Sequence, residues 1–189
     1  TMVYVFLAEG FELIEAMIPV DVLRRAGLEV TTVSISSGLE VASANGVTVI
    51  ADSLYSDNDY SKAELLLLPG GMPGAENLAA HKALCKELSV RHAKGGLIAA
   101  ICASPALVLA PLGILKGKRA TCYPGFEGCL GESDYRADLV ATYGNVITAE
   151  GPAAALPFAY EITRILCGAE VSDAVADGMR YTHLLRETK

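Results

Sequence analysis

No run of apolar residues in this 189-residue chain reaches the roughly 18 needed to cross a bilayer. No basic cluster interrupts a sequence of net charge −7. A membrane span, an anionic membrane surface and a nucleic acid are therefore set aside as partners. No C-x-x-C pair occurs among Cys85, Cys102, Cys122, Cys129 and Cys167, so a zinc site is not expected. Their odd number and wide spacing fit free thiols in a reducing cytoplasm, most of them packing as small hydrophobes. Histidine is scarce. His81 and His92 fall in a polar helical stretch, His183 lies near the C-terminus, and solvated positions are expected for all three. There is no internal repeat, no low-complexity tract and no linker. The start, "TMVYVFLAEG", has neither a basic leader nor a cleavage signal, so it reads as a first buried strand, with Thr1 a remnant of cloning.

What is present is a 52% hydrophobic, 20% charged composition, as expected of a folded globular domain. One domain over 1–189 is expected, large enough for a substantial core. Short apolar runs alternate with helical patterns. Strands are expected over 3–8, 28–36, 63–71 and 97–101, with a further strand and turn over 119–125. Hairpins are expected over 39–52, around Asn45-Gly46, and over 137–151, around Gly144-Asn145. Helices are expected over 11–27, with Pro19 kinking it or marking its start, over 75–94, from about Ser104, and over 153–168 and 170–186. Continuously apolar strands alternating with helices point to a mainly parallel sheet covered on both faces. Ligands of such sheets sit beyond the carboxyl ends of the strands. Glu9-Gly10, Pro69-Gly70-Gly71 and Cys102 all fall at such ends.

In "GGLIAAICASPALVLA" Cys102 stands where a strand hands over to a helix. Two readings follow. The thiol is a buried packing residue, or it is thrust into the crevice as on a nucleophile elbow. In the second, the free amides of the helix start lower its pKa, and Pro105 fits the first turn. Glu15, amid Leu13, Ile14, Ala16, Met17 and Ile18, is either a solvated helix residue or a carboxyl facing the thiol. Facing it, the acid would stay protonated and donate to the thiolate. Gly70, Gly71 and Gly74 let backbone approach a ligand and offer amides to an anion, or form a plain turn. Their spacing is not a dinucleotide fingerprint, and no phosphate-loop lysine follows. Arg24 and Arg25 either serve an anionic site or close the first helix.

Taken in order, "EGFELIEAMIPVDVLRRAG", "LLLLPGGMPGAENL", "GGLIAAICASPALVLA", "ATCYPG" and "AEGPAAALPFAYEI" resemble the motifs of the DJ-1/ThiJ/PfpI superfamily, closest to its DJ-1 or deglycase branch. The resemblance implies a flavodoxin-like three-layer α/β sandwich with the cysteine on an elbow, and usually a homodimer. It implies Cys102 as nucleophile, Glu15 as its protonated partner, and an oxyanion pocket formed by the amides of Gly71 and Ala103 beside Gly70. The activities implied are cofactor-free and metal-free glyoxalase or deglycase chemistry on small carbonyl compounds, or else redox sensing and chaperone-like action through sulfinic acid formation at the cysteine. Two departures matter. Tyr123 stands where deglycase-type members carry histidine, and a phenol of pKa ~10 is a poorer base at neutral pH. It remains a candidate for substrate hydrogen bonding. Ala103 stands where the protease-like branch carries histidine, which excludes that chemistry. Side-chain alternation allows only one of Cys122 and Tyr123 to face the pocket.

Overall fold

A computed structural model describes residues 2–188; Thr1 and Lys189 lie outside the described residues, and with them the reading of Thr1. The elements follow in chain order. They are β1 (Met2–Leu7), α1 (Leu13–Arg25), β2 (Glu29–Ser34), β3 (Glu40–Ala42), β4 (Thr48–Ile50), β5 (Ser53–Leu54) and β6 (Leu65–Leu68). Then come α2 (Gly74–Ala80), α3 (Lys82–Ala93), β7 (Leu97–Ile101), β8 (Arg119–Ala120), β9 (Asp134–Tyr135), β10 (Val140–Tyr143) and β11 (Val146–Ala149). The chain finishes with α4 (Ala155–Cys167), α5 (Ala169–Gly178) and α6 (Tyr181–Glu187).

Seven strands form one sheet in the order β10-β11-β7-β6-β1-β2-β5. Every pairing in it is parallel except β10 with β11. The central order is that of a flavodoxin-like doubly wound sheet, whose switch point falls between β1 and β6. The strands alternate as their period requires. Val3, Val5, Leu7, Leu65 and Leu67 pack with Val20 and Leu23 of α1 and with Phe158 and Ile162 of α4. Tyr4, Phe6, Leu66 and Leu68 pack on the other face with Leu84 and Leu88 of α3. Helices thus cover both faces. Val22, Ala159, Tyr160 and Ala176 then seat α5 outside α1 and α4. No helix among the described residues is long and apolar enough to cross a membrane.

The Asn45-Gly46 turn closes β3 and β4 into the expected hairpin, with Gly46 at φ 79°. Pro19 lies inside α1 and does not start it; Glu12 is the N-cap. The stretch 75–94 is two helices, because His81 takes an extended backbone and its Nδ1 accepts from the Leu84 amide, opening α3. The stretch 170–186 is likewise broken, at Arg180, whose φ of 65° is left-handed. After Cys102 the chain winds more widely than an α-helix. Over Pro105–Leu109 it is π-helical, with the Ala110 amide bonding the Pro105 carbonyl five residues back (3.0 Å).

Candidate active site

β1, β6 and β7 are neighbours in the sheet, and the chain leaving each of them contributes one piece of the site. At the end of β7, Cys102 has φ 67°, a left-handed conformation unusual for a side chain without local hydrogen bonding of its own. Strain of that kind persists only where neighbours fix the backbone. Here the Cys102 amide donates to the Ala149 carbonyl (2.9 Å) and its carbonyl accepts from the Tyr123 amide (2.8 Å). The Ser104 hydroxyl donates to the Pro69 carbonyl (2.5 Å), joining the elbow to the loop after β6.

That loop contributes Gly70 and Gly71. The Gly70 amide donates to Glu15 Oε2 (2.8 Å). A Cβ on Gly70 would stand 2.5 Å from the Cys102 Cβ and 2.7 Å from Glu15 Oε2, so only glycine fits between the thiol-bearing and acid-bearing residues. Gly71 has φ 86°, and a Cβ there would run into the Glu12 amide nitrogen. Glu12 fixes the start of α1: its amide donates to the Gly70 carbonyl (2.9 Å) and its Oε2 accepts from the Glu15 amide (2.9 Å). Glu15 is therefore not a solvated helix residue. It is 0% exposed, Cys102 is 8% exposed, and the two side chains interact. Glu15 Oε1 makes no hydrogen bond of good geometry; the group at hand to supply one is the Cys102 thiol.

Burial is the main cause of a Glu15 pKa raised to about 7. The Cys102 thiol and the Gly70 amide pull it down, while the Glu12 charge adds to the rise. Cys102 is pushed up to about 12, first by burial and then by the Glu15 charge and hydrogen bond. The amides of Gly71 and Ala103 do lower it, as expected of a helix start, but burial and the neighbouring acid outweigh them. The expected lowering of the thiol pKa is thus corrected: burial raises it, and the sulfur and the carboxyl titrate as a pair. One proton leaves near pH 7, and a second negative charge alongside the first is strongly resisted.

Tyr123 stands beside this pair and outside its buried contact. Its backbone is held by the Cys102 carbonyl, while its ring is 46% exposed and lies against Gly151. With Glu150, Gly151 and Pro152 it lines a cleft of about 200 Å³. Cys122 is fully buried on the opposite face of the sheet, where burial pushes its thiol up to about 12. The histidines stay apart from the pair: half-buried His81 caps α3, His92 meets Asn145, and His183 is exposed. Arg24 bonds the Val30 carbonyl and Asp52, and Arg25 bonds Asp21, so both act within the fold. The sequence reading missed Glu12, Ser104 and the Ala149 carbonyl. Glu12, three residues before Glu15, is the one with a visible capping signal.

A family model described as the DJ-1/PfpI family matches residues 1–165. Protein DJ-1 homolog B of Arabidopsis thaliana is 38% identical over 87% of this chain; the chain spans only 38% of that relative's length. A glutathione-independent glyoxalase of Caenorhabditis elegans is 34% identical, with 88% of this chain and 89% of that protein aligned. The solved structure of Toxoplasma gondii DJ-1, oxidized, superposes with a TM-score of 0.91 at 37% identity, covering 94% of this chain and 97% of that one.

Proposed function

Since the chain belongs to the DJ-1/PfpI family, we propose that it is a cysteine-dependent, cofactor-free enzyme of glyoxalase or deglycase type, acting on small 2-oxoaldehydes or their adducts. The observation that carries the reading is a buried carboxyl and a thiol pressed against the same glycine, with one proton lost near neutrality. Two amides act on the sulfur and one on the carboxylate. The pair carries one negative charge above neutrality, and in this reading the reacting form is the one with that charge on sulfur, beside the two amides, and the remaining proton on Glu15.

In this reading the Cys102 thiolate adds to the aldehyde carbon. A C–S bond forms, and the carbonyl π electrons move to oxygen, facing the Gly71 and Ala103 amides. Glu15 gives its proton to that oxygen. Its carboxylate then takes the hydrogen from the same carbon as a proton, and the released pair forms an enediol with the adjoining ketone, whose oxygen the Tyr123 hydroxyl reaches. Return of the proton to the former ketone carbon, with collapse of the first carbon to a carbonyl, leaves a 2-hydroxy thioester. Water cleaves it and restores the thiol. The sum is 2-oxoaldehyde plus water to 2-hydroxy acid; hydrogen moves between adjacent carbons, so no external oxidant is needed. The glyoxalase named among the relatives supports this class of reaction. Methylglyoxal incubated with the protein is expected to yield lactate, with Cys102→Ser abolishing turnover and Glu15→Gln lowering kcat by ~100-fold or more. Wild type and Cys102→Ser equally inactive on several 2-oxoaldehydes would overturn it.

A second reading, redox sensing with stress or chaperone-like action, is favoured by the unpartnered Glu15 Oε1. A protonated Glu15 would donate to a sulfinic oxygen on Cys102. Two successive two-electron oxidations by peroxide would add the two oxygens. Cys129 is exposed, so peroxide is expected to reach it as well. The measurement is therefore mass spectrometry of a Cys129→Ser background, where a doubly oxygenated Cys102 is expected and uniform oxidation of the remaining thiols would count against it. We further infer a homodimer, and a reducing cytoplasmic location consistent with five free thiols.

A further inference from the structure

The walls of the cleft beside the elbow hang from Cys102 itself. Tyr123 is bonded through its amide to the Cys102 carbonyl, and Glu150 follows the residue whose carbonyl accepts the Cys102 amide. The Glu150 amide donates to the Leu139 carbonyl (3.1 Å), which fixes it in the lining of the cleft, and its carboxylate makes no ion pair among the described residues. A second carboxylate, Glu127, joins Glu150 in acting on the Tyr135 phenol, and it accepts from the Gly125 amide (2.7 Å). Of the basic side chains of this quarter, Lys116 is paired with Glu132, Arg119 with Asp138 and Arg136 with Asp134, while Lys118 acts on His92. Behind the elbow the nearby charge is again negative, since Glu12 acts on Glu15.

We propose that this cleft selects carbonyl substrates by charge, with Glu150 as the specificity-determining residue: it admits neutral and cationic 2-oxoaldehydes or amine-bearing adducts and turns away anionic ones. The inference rests on the reading of Cys102 as an accessible nucleophile. A carboxylate within several ångströms of a reacting centre, in a partly desolvated cleft, separates ions of opposite sign by roughly tenfold in rate. The exposed Tyr123 ring adds a face for an ammonium group.

The test uses three methanethiosulfonates that differ only in carrying a trimethylammonium, a hydroxyl or a sulfonate. Their thiolate exchange at Cys102, which releases methanesulfinate, is followed by peptide mass spectrometry and normalised to N-acetylcysteine. A cation-to-anion rate ratio about tenfold above that of the free thiol is expected. It should fall several-fold in Glu150→Gln or in 0.5 M salt, and drop below the free-thiol ratio in Glu150→Lys. Matched phenylglyoxals with the same three charges should follow the same order in kcat/KM. A normalised ratio near one that Glu150→Lys does not move overturns charge selection while leaving the nucleophile intact. If Cys102 reacts with none of the three reagents, the cleft does not lead to the sulfur and both readings fall. Selective labelling without turnover of any phenylglyoxal retains charge selection and removes the enzymatic reading.

Discussion

Position 70 admits only glycine because of what surrounds it, since any Cβ there meets both the Cys102 side chain and the Glu15 carboxylate. Gly70→Ala is expected to destabilise the fold by about 1–3 kcal/mol through overpacking, and to push the thiol and acid apart. Thermal unfolding and the pH profile of Cys102 alkylation would show both effects; a variant with wild-type stability and profile would contradict the contact. Glu15 supports a sharper prediction. Its pKa in the fold, about 7, stands above the usual 4.5. Between those values the folded state holds a proton the unfolded chain has lost, so stability falls as pH rises through the window and levels off above it. Glu15→Gln lacks the group. Its stability relative to wild type should therefore rise by about 3 kcal/mol from pH 4 to pH 8, from ~1.4 kcal/mol per pKa unit. Urea denaturation at both pH values measures it, and a flat difference would mean the carboxyl is not held as described. At this scale Cys102 and Glu15 were legible in the sequence as a thiol at a strand end and an acid among aliphatic residues. That such an acid, facing the thiol, would hold a proton was legible too; what was not is that burial lifts both groups and that Gly70 lies between them.

Among the elements, the strands were read well where they are apolar on both faces, as in Leu65–Leu68 and Leu97–Ile101, since a doubly covered parallel sheet leaves no polar alternation to mislead. Asn45-Gly46 announced its hairpin through turn chemistry. The two helices read as unbroken share one cause: a break made by a residue that does not ordinarily break helices. His81 does so by acting as a cap, its Nδ1 accepting from the Leu84 amide. Arg180 does so by taking a left-handed backbone that sequence pattern gives no reason to expect. The His81 cap implies a neutral ring with Nδ1 unprotonated, in keeping with a pKa lowered by burial. A histidine whose pKa is depressed in the fold contributes stability above its unfolded value, lost as pH falls through the folded one. His81→Ala should lose about 1 kcal/mol at pH 8. His81→Ser should regain most of that, and also remove the loss of stability that wild type shows as pH drops below about 6.5. Equal pH dependence in wild type and His81→Ser would show that the ring is not the cap that titrates.

Over the whole molecule, the switch point between β1 and β6 explains why residues 15, 70 and 102 meet at all: neighbouring strands of a parallel sheet release their chains at one edge. The same edge carries the β3–β4 hairpin, tied to the start of α1 by the Gly10 amide on the Ala42 carbonyl and the Ala44 amide on the Phe11 carbonyl, both at 2.8 Å. On this hairpin Leu39, Val47 and Ile50 are exposed, Ile50 at 70%, and Ile14 is exposed on α1 nearby. Exposed apolar side chains gathered on one small element are more readily explained by a partner than by solvent. A second copy is the occupant consistent with the homodimer inferred above. Sedimentation at micromolar concentration is expected to give a dimer for wild type and a monomer for Ile50→Asp. Folding linked to association also makes the wild-type melting temperature rise with protein concentration, and that dependence should vanish in Ile50→Asp. Because the hairpin is bonded to the segment that leads into Glu15, the monomeric variant should also show an altered pH profile for Cys102 alkylation. A wild type that sediments as a monomer throughout the range refutes the assembly; a variant that remains dimeric moves the interface to another face.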